Sequence, residues 1–137
     1  MEGSPARVLL LEDDPAVCRF VQLVLDALPI DLVVCTTLRE AREHLAGAPV
    51  QVVLMDLTLP DGSGRDLLDG LPGGAPDAAR RTVVFSGGVD AVLQRQLEAR
   101  GVWRVLHKPA SVGSLLACVT DALDSLSAAA DTTPALP

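Results

Sequence analysis

Aromatic residues, clustered basic residues and long apolar runs are all scarce in this sequence. The 137 residues include two phenylalanines, one tryptophan and no tyrosine, although 49% of the chain is hydrophobic. This composition suits helices rich in alanine, leucine and valine that pack on a parallel sheet. Because lysine and arginine form no stripe and the formal net charge is −7, we expect no direct binding of this chain to nucleic acid.

Features of membrane proteins and of disulfide-bonded proteins are also lacking. No apolar run approaches the length of a membrane span, and Glu2 to Arg7 lack the apolar core of a signal peptide. Cys18, Cys35 and Cys118 are odd in number and share no metal-binding or disulfide spacing. We therefore predict a cytoplasmic protein without membrane contact, whose cysteines are small core residues in a reducing compartment.

Short apolar runs alternate with segments of helical periodicity along the chain. The predicted strands are Arg7 to Leu11, Ile30 to Cys35, Val50 to Met55, Thr82 to Phe85 and Val102 to Leu106. A helical pattern follows each of them, ending near Leu28, Gly47, Leu71, Leu97 and Leu126, and Pro72 to Arg81 has the composition of a loop. This alternation predicts an α/β protein with a parallel sheet and helices on both faces.

The length is sufficient for one domain with a substantial core. We assign residues 1–126 to this domain and predict that residues 127–137, which are small, polar and proline-containing, form a flexible tail. No output domain is expected after the last helix. The domain would therefore act alone or be part of a larger regulator or hybrid kinase.

Polar and charged side chains follow four of the five predicted strands. Glu12 and Asp13 follow the first, Asp56 the third, Ser86 the fourth, and Lys108 lies just after the fifth. Because the carboxyl ends of these strands share one edge of a doubly wound sheet, we expect the five side chains to form one site.

Three carboxylates in one site repel each other, and a hard divalent cation such as Mg²⁺ would relieve that repulsion. A lysine and a hydroxyl beside a metal-bound carboxylate form a set that suits phosphoryl chemistry, with Asp56 as the central acceptor. Asp14 is followed by Pro15, which favours its role as the N-cap of the first helix over a role in the site.

These motifs resemble the receiver domain of response regulators in two-component signalling. The resemblance covers Arg7 to Leu126. It rests on LLLEDD at the end of the first strand, D-x-x-L-P-x-x-x-G from Asp56 to Gly64, Ser86, and Lys108-Pro109. It implies a flavodoxin-like fold with five helices and a five-stranded parallel sheet of order 2-1-3-4-5.

The resemblance also implies a mechanism. Asp56 would be phosphorylated by a sensor histidine kinase or a histidine phosphotransfer protein. Lys108 would contact the phosphoryl group, and Ser86 would be the hydroxyl that moves toward it. Such a domain is a signalling module that assists its own phosphorylation and dephosphorylation, and it is not counted as an enzyme.

The metal ligands implied by the resemblance are oxygen atoms of four residues. Glu12, Asp13 and Asp56 would hold Mg²⁺ through their side chains, and Thr58 would contribute its backbone carbonyl. Phosphorylation would then change the surface that binds a downstream protein or an output domain. Apolar positions on the last two helices could also serve a homodimer, but core packing explains them equally well.

The chain departs from the family pattern at one position of the switch. Members usually carry an aromatic residue three positions before the lysine, where this chain has Val105, so the switch pair is Ser86 and Val105. The nearby Trp103 is either a packed residue of an edge strand or part of a partner surface.

Three other functions compete with this prediction. An aspartate-nucleophile phosphohydrolase typically has a second aspartate two residues after the nucleophile, where this chain has Thr58, a poor general acid. A flavin- or nucleotide-binding module would place phosphate after the first strand, where three acidic residues would repel it. A pseudo-receiver, which would be an interaction module without regulated phosphorylation, is supported by Val105 alone.

Overall fold

A computed structural model describes residues 5–70 and 79–132. The strands are β1 (Ala6–Leu11), β2 (Ile30–Cys35), β3 (Val52–Met55), β4 (Thr58–Leu59), β5 (Gly62–Ser63), β6 (Thr82–Ser86) and β7 (Arg104–His107). The helices are α1 (Pro15–Leu25), α2 (Leu38–Gly47), α3 (Gly64–Gly70), α4 (Ala91–Ala99) and α5 (Val112–Thr132).

Five strands form one parallel sheet in the order β2-β1-β3-β6-β7. Counted among these five strands, the order is 2-1-3-4-5, which confirms the predicted fold class. The remaining strands, β4 and β5, form a small antiparallel pair with Thr58 opposite Ser63. We did not predict this pair, because two residues per strand are too few to show an alternating pattern.

Alternate residues of each central strand face opposite layers of helices. In β1, Val8 and Leu10 belong to the hydrophobic cluster that includes residues of α1 and α5, whereas Leu9 and Leu11 belong to the cluster that includes residues of α2, α3 and α4. All four side chains are essentially buried. A strand covered on both faces reads as a continuous apolar run, which is why the pattern predicted these strands correctly.

Short polar side chains begin four of the helices. Asp14, Thr37 and Asp90 are the N-caps of α1, α2 and α4, and the Ser111 hydroxyl accepts the Ser114 amide at 3.0 Å in the first turn of α5. Each cap satisfies an amide that would otherwise lack a partner within the helix. The predicted cap at Asp14 is confirmed.

Some predicted boundaries are wrong by a few residues. Helix α1 ends at Leu25 rather than near Leu28. The Leu28 amide donates to the Leu25 carbonyl at 3.0 Å in a tighter turn, and Leu28 itself precedes Pro29, which disfavours helical geometry at that residue. Strand β7 begins at Arg104 rather than Val102, since the Val102 amide still donates to the Leu97 carbonyl of α4 at 3.2 Å.

Two further boundaries also differ. Strand β3 begins at Val52 rather than Val50, and α5 continues to Thr132 rather than ending at Leu126. The flexibility of residues 127–137 stays a prediction, and residues 133–137 lie outside the described part. Most of the loop predicted for Pro72 to Arg81 also lies outside it, but the described residues Ala79 and Arg80 are helical, so the loop prediction is wrong there.

The three cysteines are buried and form no disulfide bonds. Burial raises the pKa of the Cys35 thiol to about 11, so this side chain stays a neutral core group. Within residues 5–70 and 79–132, no helix is both long enough and apolar enough to cross a membrane.

Candidate functional site

The carboxyl ends of four parallel strands bring the predicted site residues together. Glu12 follows β1, Asp56 follows β3, Ser86 ends β6, and Lys108 follows β7. The backbone contributes to this arrangement, because the Asp56 amide donates to the Leu11 carbonyl at 2.9 Å and the Lys108 amide donates to the Ser86 carbonyl at 3.1 Å. The sheet ladder therefore continues up to the site residues themselves.

Asp56 lies at the centre of this group with 8% of its surface exposed. Its Oδ1 atom accepts a hydrogen bond from the Ser86 hydroxyl at 2.8 Å and a longer one from the Thr58 amide at 3.4 Å. Its Oδ2 atom lies 3.3 Å from Lys108 Nζ. Both carboxylate oxygens are thus oriented by donors, which fixes the side chain in one position at the edge of the sheet.

Lys108 forms its shorter ion pair with Glu12. Lys108 Nζ lies 2.6 Å from Glu12 Oε1, and Glu12 is only 1% exposed. Burial raises the pKa of the Glu12 carboxyl, and the hydrogen bond from Lys108 offsets only part of this effect. Burial also works against the ammonium, but Glu12 and Asp56 outweigh it and raise the pKa of Lys108 above its ordinary value. Lys108 therefore stays charged between the two acids.

Three carboxylates of this group lie close enough to share a cation. Oxygen atoms of Glu12, Asp13 and Asp56 all lie within 4.8 Å of one another, and Asp13 is exposed to solvent. A set of oxygen ligands with one open side fits Mg²⁺, which keeps several of its waters when it binds to protein. The predicted fourth ligand, Thr58, lies two residues after Asp56, and the role of its carbonyl stays a prediction.

Gly64 allows the chain after β3 to close against the site. A Cβ atom at this position would overlap the Asp56 carbonyl oxygen and lie 3.0 Å from the Sδ atom of Met55. The Gly64 amide donates to the Leu57 carbonyl at 2.9 Å, which closes the turn. The glycine at the end of the D-x-x-L-P-x-x-x-G motif is therefore required by a close backbone approach, a role that the sequence pattern alone did not reveal.

Asp61 connects the same segment to helix α2. Its carboxylate accepts the amides of Leu38 and Arg39 at 2.9 and 3.2 Å, and these hydrogen bonds lower the pKa of Asp61 below its ordinary value. Its partners are more than twenty residues away, so no local pattern could have indicated this contact.

The residues of the predicted switch differ in their surroundings. Val105 is 9% exposed and packs in the hydrophobic cluster that includes α4, on the face opposite the α1 and α5 layer. Trp103 is partly buried against the α1 and α5 cluster, and its ring lies 4.3 Å from the Arg104 guanidinium carbon. Trp103 is thus partly packed just before β7, and its part in a partner surface stays a prediction.

The fold and the site define a class of protein, and comparison with known sequences agrees. The model of the response regulator receiver domain matches residues 8–120, so the chain belongs to the response regulator receiver domain family. Members of this family are signalling domains of two-component systems.

Curated relatives point to the same family. The response regulator protein PilR of Pseudomonas aeruginosa is 32% identical over 88% of this chain and 26% of its own length. The transcriptional regulatory protein UhpA of Salmonella typhimurium is 37% identical over 80% of this chain and 55% of its own length. The chain thus spans between about a quarter and about half of these relatives.

Solved structures share the fold at lower sequence identity. The signal receiver domain of a LuxO repressor protein from Vibrio parahaemolyticus superposes with a TM-score of 0.83, at 24% identity, covering 94% of this chain and 97% of that one. The beryllofluoride-activated NtrC4 receiver domain dimer gives a TM-score of 0.78, also at 24% identity, covering 88% and 98%. At this identity the likeness shows the fold alone.

Proposed function

We propose that Asp56 accepts a phosphoryl group in a Mg²⁺-dependent reaction and that the domain then changes its partner-binding surface. One observation carries the proposal. The Asp56 carboxylate accepts hydrogen bonds from Ser86 and Lys108, within 4.8 Å of two further carboxylates. An acceptor flanked by a cation, a hydroxyl and a place for a metal is the arrangement that phosphoryl transfer requires.

Each side chain has a definite part in the proposed reaction. A carboxylate oxygen of Asp56 attacks the phosphorus atom of a phosphohistidine, and the bond between phosphorus and the imidazole nitrogen breaks, with its electron pair leaving on the imidazole. Lys108 and Ser86, which now donate to Asp56, are placed to donate to the oxygens of the incoming phosphoryl group. These donors are already in position, so little reorganisation is needed as charge develops.

Glu12, Asp13, Asp56 and the Thr58 carbonyl are the proposed Mg²⁺ ligands. When bound, the ion would neutralise negative charge on the phosphoryl oxygens and on the acidic group. The all-oxygen ligand set supports this assignment, as does the cost of keeping three carboxylates together without a cation.

The proposed donor is a sensor histidine kinase or a histidine phosphotransfer protein. An apolar recess of about 340 Å³ opens beside Lys108, where a side chain of a donor protein could pack. Its lining residues are Ala16, Val17, Phe20, Phe85, Lys108, Pro109 and Ala110. We place this exchange in the cytoplasm and expect the output to be a downstream protein or an output domain. A homodimer stays a prediction.

The proposal is tested by the intact mass of the protein after incubation with acetyl phosphate. We expect one phosphoryl group with Mg²⁺ and none with a chelator. The adduct should be released by hydroxylamine, which cleaves acyl phosphates but leaves phosphoserine at Ser86 intact. Asp56→Asn should abolish the adduct, whereas Asp61→Asn, five residues later in the same segment, should retain it.

Two results would overturn the proposal. No adduct from acetyl phosphate or from a panel of phosphorylated histidine kinases would favour the pseudo-receiver, an interaction module without regulated phosphorylation. Steady turnover of a simple phosphomonoester would instead favour the phosphohydrolase.

A further inference from the structure

The last residue of β7 forms a side-chain hydrogen bond to helix α4. His107 Nε2 lies 2.8 Å from Gln94 Oε1. His107 directly precedes Lys108 and is paired with Ser86 in the parallel ladder between β6 and β7. His107, which contacts α4 through its side chain, is therefore the backbone neighbour of both Ser86 and Lys108, the residues that donate to Asp56.

The surroundings of Gln94 assign the direction of this hydrogen bond. Gln94 Nε2 donates to Glu98 Oε2 at 3.2 Å, one turn further along α4. The amide nitrogen of Gln94 thus faces Glu98, and the amide oxygen faces His107 and can only accept. Nε2 of His107 is therefore the protonated nitrogen and the donor.

Other connections between the site and α4 are less suited to transmit a movement. The direct loop contains Gly87 and Gly88. A Cβ atom at Gly88 would contact nothing within 4 Å, and one at Gly87 would only reach Lys108 Cβ at 4.0 Å. Val105 is packed in the core, and a β-branched side chain has restricted χ1 freedom. The loop lacks side-chain contacts that could transmit a displacement to α4, and the Val105 side chain lacks the rotational freedom to do so.

We propose that the His107–Gln94 hydrogen bond couples the state of Asp56 to α4 and takes the part of the missing aromatic side chain at position 105. His107 acts here as a positioning residue, since it touches neither Asp56 nor the phosphoryl group. When the donors of Ser86 and Lys108 turn from Asp56 to the phosphoryl oxygens, the end of β7 shifts with them, and α4 follows through Gln94. The inference rests on the proposed function.

Coupling between two sites is reciprocal, which gives the proposal a second signature. If occupancy of Asp56 alters α4 through this bond, loss of the bond must change the affinity of the site for a phosphoryl analogue. The net contribution of one typical hydrogen bond corresponds to a change of about fivefold. A purely structural role would alter stability and leave the affinity unchanged.

The experiment uses the full chain with Mg²⁺ and beryllofluoride. Fluorine NMR measures occupancy of Asp56, and amide hydrogen exchange measures the protection of residues 91–99. We expect beryllofluoride to change the protection of α4 in the wild type. In His107→Ala and Gln94→Leu this change should shrink several-fold, with a two- to fivefold change in beryllofluoride affinity. The double variant should lose no more of the α4 response than either single variant does.

Two matched variants complete the design. Gln94→Glu keeps an oxygen acceptor for His107 and should preserve the response of α4. Gln96→Leu makes the same change of side chain as Gln94→Leu two positions along the same helix. This variant should also preserve the response of α4.

Three outcomes overturn the inference. If beryllofluoride binds to His107→Ala and Gln94→Leu and the response of α4 is undiminished, this inference is overturned and the proposed function is not. An equal loss in Gln96→Leu does the same, because the loss would then reflect a weakened helix. No fluorine signal from the wild type at any concentration overturns the proposed function and this inference with it.

Discussion

Two sets of carboxylates lie where the strands end and the helices begin, and they differ in their partners. The first set consists of helix caps. Asp14 accepts the Ala16 amide at 2.9 Å, Asp90 accepts the Leu93 amide at 2.8 Å, and Asp61 accepts the Leu38 amide at 2.9 Å. Each of these acids is paired with a backbone donor at the positive end of a helix, so each stabilises the fold.

The second set is the acidic group of the site. Glu12, Asp13 and Asp56 lie within 4.8 Å of one another, and the single ammonium of Lys108 is shared between Glu12 and Asp56. Three carboxylates beside one ammonium give the group a formal net charge of about −2. Such a group costs folding free energy, particularly at the nearly buried Glu12. The first set serves the structure, whereas the second is the set that we propose to bind Mg²⁺ and to accept the phosphoryl group.

The largest effect is expected from a change that disturbs the second set through the backbone. In Gly64→Ala, the new methyl group overlaps the Asp56 carbonyl, so the turn after β3 must move and the free energy of unfolding should fall by about 3 kcal/mol. Urea denaturation measures this loss. Gly47→Ala is the control, because its Cβ would contact nothing within 4 Å, and it should be neutral or stabilising by up to about 1 kcal/mol. Equal effects at both positions would contradict the packing argument.

The next effect concerns the first set. Removing the cap in Asp14→Ala should lower the free energy of unfolding by about 1 kcal/mol, because the Ala16 amide loses its acceptor at the start of α1. Its neighbour Asp13 offers the matched change from the second set. Without Mg²⁺, Asp13→Ala should leave stability unchanged or raise it, since it removes charge repulsion. A larger loss in Asp13→Ala than in Asp14→Ala would contradict the division into two sets.

The caps also predict a dependence on pH. The amides of α2 lower the pKa of Asp61 below the ordinary value of 3.8, so its stabilisation is complete above that value. It is then lost as the pH falls through the lower pKa of the folded state. The stability difference between wild type and Asp61→Ala should therefore shrink in urea titrations below this pH. Thr37→Ala removes an uncharged cap of the same helix and should give a difference that does not vary with pH; parallel behaviour of the two variants would argue against a charged cap.

The smallest effect is expected from a carboxylate paired in solvent. Arg7 Nη2 lies 3.3 Å from Asp31 Oδ2, and both side chains are substantially exposed. Arg7→Gln should change the free energy of unfolding by less than about 0.5 kcal/mol, and by less still at high salt. A loss as large as that of Asp14→Ala would show that the stabilisation by the cap acids does not depend on their hydrogen bonds with backbone amides.

Much of this arrangement could be predicted from the sequence, because it depends on short-range patterns. Buried strands appear as apolar runs, and the residues that follow them meet at one sheet edge, so the grouping of Asp56, Ser86 and Lys108 followed from their positions alone. The cap at Asp14 followed from its place before Pro15.

The features that escaped prediction depend on contacts between distant segments. The cap that Asp61 provides to α2, the closeness of Gly64 to Asp56 and the hydrogen bond between His107 and Gln94 each require coordinates of two elements. The ends of α1 and β7 were misplaced because single hydrogen bonds and the residue before a proline decide them. Periodicity does not register such local details.

The most direct test of the division into two sets is the effect of Mg²⁺ on stability. Urea unfolding of the wild type, Asp13→Ala and Asp14→Ala would be measured with and without the ion. We predict that Mg²⁺ stabilises the wild type and Asp14→Ala by equal amounts, as a ligand of the folded state does, and leaves Asp13→Ala almost unaffected. Equal stabilisation of all three proteins, or of none, would contradict the claim that the acidic group of the site exists to hold a cation.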